Sequence, residues 1–111
     1  MIEKVILDYL NDSGFTAVME LPKDYSSERI VVIEKTGSST VNRITESTFA
    51  IQSYGISLYD AASLNEEIKA AMDNAVTLPE ISRVHLNSDY NFTNPNTKRP
   101  RYQAVFDITH Y

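Results

Sequence analysis

Ile30, Val31, Val32 and Ile33 are four consecutive β-branched apolar residues. Branching at Cβ restricts χ1 and favours the pleated strand. A strand that is apolar at every position needs cover on both faces, so this run is placed centrally in a sheet. The chain around it has 111 residues, the common size of one domain. Such a chain buries roughly two-thirds of its unfolded surface, so residues 1–111 are read as a single domain with one core. That core needs no staples, and with no cysteine in the chain, disulfides, thiolate zinc sites and cysteine nucleophiles are excluded together.

Helical periodicity flanks the strands. Ile2, Val5, Ile6, Tyr9 and Leu10 recur at helical spacing and make one apolar stripe, with Glu3, Lys4 and Asp8 on the other side. Gly14 suits the left-handed turn that ends such a helix. Ser57 is placed to cap a second helix of about 20 residues, about 30 Å long, running to Pro79. Its predicted buried stripe is Ala61, Leu64, Ile68, Ala71, Met72 and Ala75, with Asn65, Glu66, Lys69 and Asp73 facing water.

Strand signals fill the rest. Residues 15–21 predict a first strand, residues 23–28 a turn, and residues 47–54 a third strand closed by Gly55. Between the second and third strands lie Thr36, Gly37, Ser38, Ser39, Thr40, Val41, Asn42 and Arg43, read as a polar loop too long for a tight hairpin. Val84, Leu86, Ser88, Tyr90 and Phe92 are assigned to one face of a strand, and Tyr102, Ala104, Phe106, Ile108 and His110 to one face of the last. The expected order is α-β-β-β-α-β-β: an α+β fold in which two helices cover one face of a small, mostly antiparallel sheet.

Chemistry is hard to find in this chain. His85 and His110, with Asp89 or Asp107, would form an acid/base or metal cluster only in a favourable strand register, and the plainer expectation is two solvent-side histidines. Glu66 and Glu67 are adjacent on a helix and point apart. The segment from Thr36 to Ser39 lacks the spacing of a phosphate loop. The chain is therefore expected to be no enzyme, with no cofactor and no metal site.

The net charge of −5 disfavours nucleic-acid binding, because phosphate neutralisation needs a basic surface. Lys98, Arg99 and Arg101 gather in one predicted loop, suited to an acidic neighbour. Ile30 to Ile33 is the longest apolar run, far short of the ~20 residues that cross a bilayer, and charges near the N-terminus argue against a signal peptide. Seven tyrosines exceed what so small a core can bury, and tyrosine is enriched at interfaces. Tyr54, Tyr90 and Tyr111, with Lys98, Arg99 and Arg101, form the candidate subunit interface. The final strand ends directly at Tyr111, and as an edge strand it would offer its backbone to a second subunit.

Several passages carry a family resemblance: Ile33-Glu34-Lys35-Thr36-Gly37-Ser38-Ser39, Phe49-Ala50-Ile51-Gln52-Ser53-Tyr54, Leu86-Asn87-Ser88-Asp89-Tyr90-Asn91-Phe92 and Arg101-Tyr102-Gln103-Ala104-Val105-Phe106-Asp107. Together with length, element order and composition, they resemble the tail terminator (tail-completion) family of long-tailed bacteriophages and prophages. That resemblance implies a virion protein of the neck, made in the bacterial host cytoplasm. It would assemble as a homo-oligomeric ring, usually a hexamer, that caps the tail-tube protein and meets the head-tail connector. It also implies that residues 36–43 form a mobile partner-binding loop. The alternatives are another head-tail joining or minor tail component, and a small bacterial ligand-binding domain or enzyme using His85 or His110.

Overall fold

A computed structural model describes residues 1–22, 29–96 and 98–111; the turn predicted over 23–28 lies outside them. The element order is α1 (Ile2–Asp12), β1 (Ala17–Val18), β2 (Ile30–Val41), β3 (Ile44–Tyr54), α2 (Leu58–Asp73), a 3-10 helix (Asn74–Thr77), β4 (Ile81–Asn91) and β5 (Arg101–His110). The five strands form one sheet in the order β1-β2-β3-β5-β4. Only β1 and β2 run parallel. Both helices contribute to the single large core cluster, so this is an α+β fold with its helices on one face.

The core is built as the periodicities require. Ile2, Ile6 and Leu10 of α1 and Leu64, Ile68 and Met72 of α2 pack on Val31, Ile33, Phe49, Ile51, Phe106 and Ile108. Ile30 and Val32 point the other way, into a smaller cluster with Tyr54, Val18 and Leu21. The β-branched run is thus covered on both faces, although β3 rather than β2 is the middle strand. The predicted first strand shortens to Ala17–Val18. Asn11, in the last turn of α1, takes over this segment, donating to the Ala17 carbonyl and accepting from the Ala17 amide.

Caps set the helix ends. Gly14 adopts φ +97° just beyond α1, and Phe15 N–H donates to Leu10 O. Ser57 Oγ accepts from Asp60 N–H while Asp60 Oδ2 accepts from Ile56 N–H, a reciprocal N-terminal cap. The α-helix ends at Asp73, and a 3-10 turn carries the chain on towards Pro79.

Residues 36–41 do not form a loop. They extend β2, pairing from Gly37↔Thr48 to Val41↔Ile44. Only Asn42 and Arg43 turn, both at positive φ (+53° and +67°). Two residues in this region make the primed turn whose twist matches paired strands. Asn tolerates it well, whereas Arg costs roughly 1 kcal/mol there relative to glycine. The polar composition that suggested a loop reflects a strand whose outer half is solvated on both faces: residues 34–41 are all exposed.

The last two strands also depart from simple alternation. Register shifts fall between Ile81 and Arg83 and between Leu86 and Ser88. An extra residue in one strand reverses the facing of all that follows. Val84 therefore packs towards the helices, whereas Tyr90 bonds to Gln103 on the opposite face. The expected shared face of Val84, Leu86, Ser88, Tyr90 and Phe92 is thus split at the bulge.

Candidate interaction surfaces

The helices leave one sheet face open, and at one end of it the predicted interface residues converge. Tyr54 ends β3, and its register partner Arg101 begins β5. Arg101 Nη1 donates to Tyr54 Oη at 2.9 Å and its Nε to Phe92 O at 2.8 Å. The same guanidinium lies 5.5 Å from the centroid of Tyr54 and 4.5 Å from that of Phe92. Arg99 stands 6.0 Å over Tyr54. Tyr90 meets Phe92 edge to face at 5.7 Å, and its hydroxyl accepts from Gln103 Nε2 at 2.6 Å. Gln103 Oε1 in turn accepts from Gln52.

This makes an array of two arginines and three aromatic rings, in which hydrogen bonds tie Arg101 to Tyr54 and Tyr90 to Gln103. Tyr90 and Phe92 remain 41% and 40% exposed. Arginine and tyrosine anchors of this kind dominate protein interfaces. Phe92 lies outside the candidate interface set, although its spacing of two from Tyr90 already puts both on one strand face. Lys98 is exposed at φ +56° in the adjoining connection, its N–H donating to Asn94 O; Thr97 lies outside the described residues. Tyr111 does not join them. Its N–H donates to Glu80 O at the far end of the sheet, because β5 runs its full length away from Arg101.

Edges differ from expectation as well. The last strand is interior, paired with β3 and β4 on its two sides. Its backbone is therefore satisfied within the chain. Among the described residues the edges are β4, the two-residue β1 and the part of β2 beyond Val32, since β1 pairs only with Val31 and Val32. The hairpin carries the exposed pair Val41 (69%) and Ile44 (47%) beside Arg43 at its tip. Its edge is interrupted by a bulge between Lys35 and Gly37, a device that discourages indiscriminate pairing.

The histidines fall on opposite faces. His85 is exposed and lines a small open-face hollow with Glu46, Arg83, Asp107 and Thr109. His110, expected to face solvent, is buried among the core residues: its Nε2 lies 2.8 Å from Ser47 Oγ and its Nδ1 3.2 Å from Tyr111 O. The Tyr111 oxygen can only accept, so Nδ1 donates to it and, in the neutral ring, Nε2 accepts the Ser47 hydroxyl. Asp107 is held by Thr48 and Asn87, and Asp89 by Lys69. Register thus sends the carboxylates to separate partners. Among the described residues no group of three metal-ligating side chains forms, and no helix is long and apolar enough to cross a membrane.

Asn65 on α2 also departs from expectation. Expected to face water, it is 2% exposed, and its Oδ1 has no hydrogen-bond partner. It borders a groove of about 370 Å³ between α2 and the sheet. Comparison with known proteins finds no matching family model and no matching curated protein.

Proposed function

We propose that this chain is a structural assembly module, and specifically a phage or prophage neck protein of the tail-terminator kind. In this reading its ring caps the tail tube and joins it to the head connector. The observation that supports assembly over catalysis is the ordered arginine–aromatic array of Tyr54, Tyr90, Phe92, Arg99 and Arg101 on the helix-free face. It is hydrogen-bonded, partly exposed and chemically suited to a partner surface. The terminator assignment itself rests on the sequence resemblance.

Mechanistically, subunits would associate head to tail. Such contacts are heterologous and must close into a ring or grow without limit. The β2–β3 hairpin, a paired arm with an exposed tip, is the element offered to the tube. Light scattering on the chain alone and with purified tail-tube protein tests this. A ring-sized particle in either condition supports it; a monomer in both rejects it. Substituting Arg43 and Ser39, both exposed on the hairpin, should weaken docking with no loss of fold, and normal tail completion by those variants would exclude the hairpin as the docking element.

A further inference from the structure

Two long backbone edges bound the sheet. Among the described residues β4 pairs with β5 alone, and the part of β2 beyond Val32 pairs with β3 alone. Every residue from Glu34 to Val41 is exposed. Neither strand contains proline, and no charge lies between Thr36 and Val41; both are common guards of an edge. Each edge instead carries a bulge near mid-length, between Lys35 and Gly37 in β2 and between Leu86 and Ser88 in β4.

The bulges make these two edges match. Opposed residues in a sheet share a face, so partners in the core cluster mark the helix side. Lys35 opposes Phe49, Val84 opposes Ile108, Leu86 opposes Phe106 and Asp89 opposes Ala104. Alternation along β3 from Phe49 adds Ser38 and Thr40, the partners of Ser47 and Thr45. Read backwards, β2 therefore presents Thr40, Ser38 and Lys35 on the helix side, at steps of two and then three. Read forwards, β4 presents Val84, Leu86 and Asp89 at the same steps. Three antiparallel pairings separate the two strands, so they run in opposite directions. A second copy set beside the first in the same orientation brings its β2 antiparallel to the first copy's β4.

We propose that β4 of one copy pairs with the outer half of β2 of a second copy, continuing the sheet from chain to chain. The register is Thr40↔Val84, Ser38↔Leu86 and Lys35↔Asp89, with the two bulges side by side. It sets the Lys35 ammonium beside the Asp89 carboxylate. Within the chain Lys35 meets Glu3 at 3.2 Å and Asp89 meets Lys69 at 3.1 Å, but an ammonium has three donors and a carboxylate two oxygens. Pairing of either edge with its own copy keeps the steps as well. It sets Asp89 against Leu86, or Lys35 against Ser38, and stops at two chains. Charge complementarity selects the β2–β4 contact, which is heterologous and repeats from copy to copy. It rests on the self-assembly reading above and specifies the contact within it.

The test uses the full chain, which has no native cysteine. Ser38→Cys marks one edge and Leu86→Cys the other; both positions are exposed. Opposed residues of an antiparallel pair have Cα atoms about 4.5–5.5 Å apart, within disulfide reach. The two chains are mixed in a glutathione redox buffer, alone and with purified tail-tube protein, and the products are read by intact mass. The mixed disulfide is expected well above either self-product. Asp89→Lys on the Leu86→Cys chain should lower that yield about two- to fivefold, and Lys35→Asp on the Ser38→Cys chain should restore it. Thermal melts check that each variant is folded, and Thr40→Cys with Val84→Cys reads the same register if Leu86→Cys is unstable. No excess of the mixed product in either condition, or an excess of a self-product, overturns the contact. A yield indifferent to both charge reversals overturns the register. A chain that forms the mixed disulfide but never caps tail tube sinks the terminator reading and leaves the pairing standing. One that caps tubes without it does the reverse.

Discussion

Gly55→Ala is the substitution that most directly tests how α2 is seated on the sheet. Gly55 follows β3 directly, and a Cβ built there would meet the backbone nitrogen of Ala61 and lie 2.9 Å from both Ala61 Cα and Asp60 C. These are backbone atoms in the first turn of a capped helix, so no side chain can rotate away. Ordinary carbon contacts start near 3.5 Å, so strand and helix must separate by roughly an ångström. Ala61 and Leu64, 0% and 3% exposed, would lose packing as they part. Overpacking of this kind costs about 2–3 kcal/mol. With a urea m-value of about 1.5 kcal/mol per M, the denaturation midpoint should fall by about 1.5–2 M at unchanged slope. Gly37→Ala is the control, because a Cβ there meets nothing within 4 Å. A loss below about 0.5 M for Gly55→Ala would refute the claim that close backbone approach fixes α2.

Three further outcomes are expected. His110→Ala should lower the melting temperature by about 4–12 °C, since it leaves the buried Ser47 hydroxyl without its partner at roughly 1–3 kcal/mol; His85→Ala, on an exposed side chain, should barely move the same melt. Glu3 is held below the ordinary glutamate value by a backbone hydrogen bond, with burial opposing and Lys35 assisting. Its contribution is present above pH 4.5 and lost as pH falls through the lowered folded-state value, so an acid titration of Glu3→Gln should lack that part of the stability loss. For Lys69, burial acts to lower the ammonium, but hydrogen bonds to Asp89 and Glu66 outweigh it and its pKa is raised. Its contribution therefore holds below pH 10.5 and disappears as pH rises through the raised value, and alkaline denaturation of Lys69→Met should be correspondingly less steep.

The candidate surface was partly legible. Residue type points to Tyr54, Tyr90, Arg99 and Arg101, and pairing of β3, β5 and β4 brings them together. The same grounds point to Tyr111, which lies at the other end, because composition carries no register. Asn65 was assigned to water because polarity on a helix predicts exposure; its position beside Leu64 and Ile68 places it against the sheet instead.

Local chemistry determined much of this protein from sequence: the two amphipathic helices, the Ser57 cap, the turn at Gly14, and the doubly covered run from Ile30 to Ile33. Each depends on spacing or on a single residue's backbone preference, which the chain displays in linear order. Tertiary structure alone decided the hairpin, the bulges and the edges. Thr36 to Val41 has weak intrinsic preference, so only pairing with β3 makes it a strand. One extra residue in β4 turns Tyr90 to the open face, and strand order makes β5 an interior strand. Those outcomes depend on which non-local backbone groups find one another, a competition between hydrogen-bonding partners that no short segment resolves by itself.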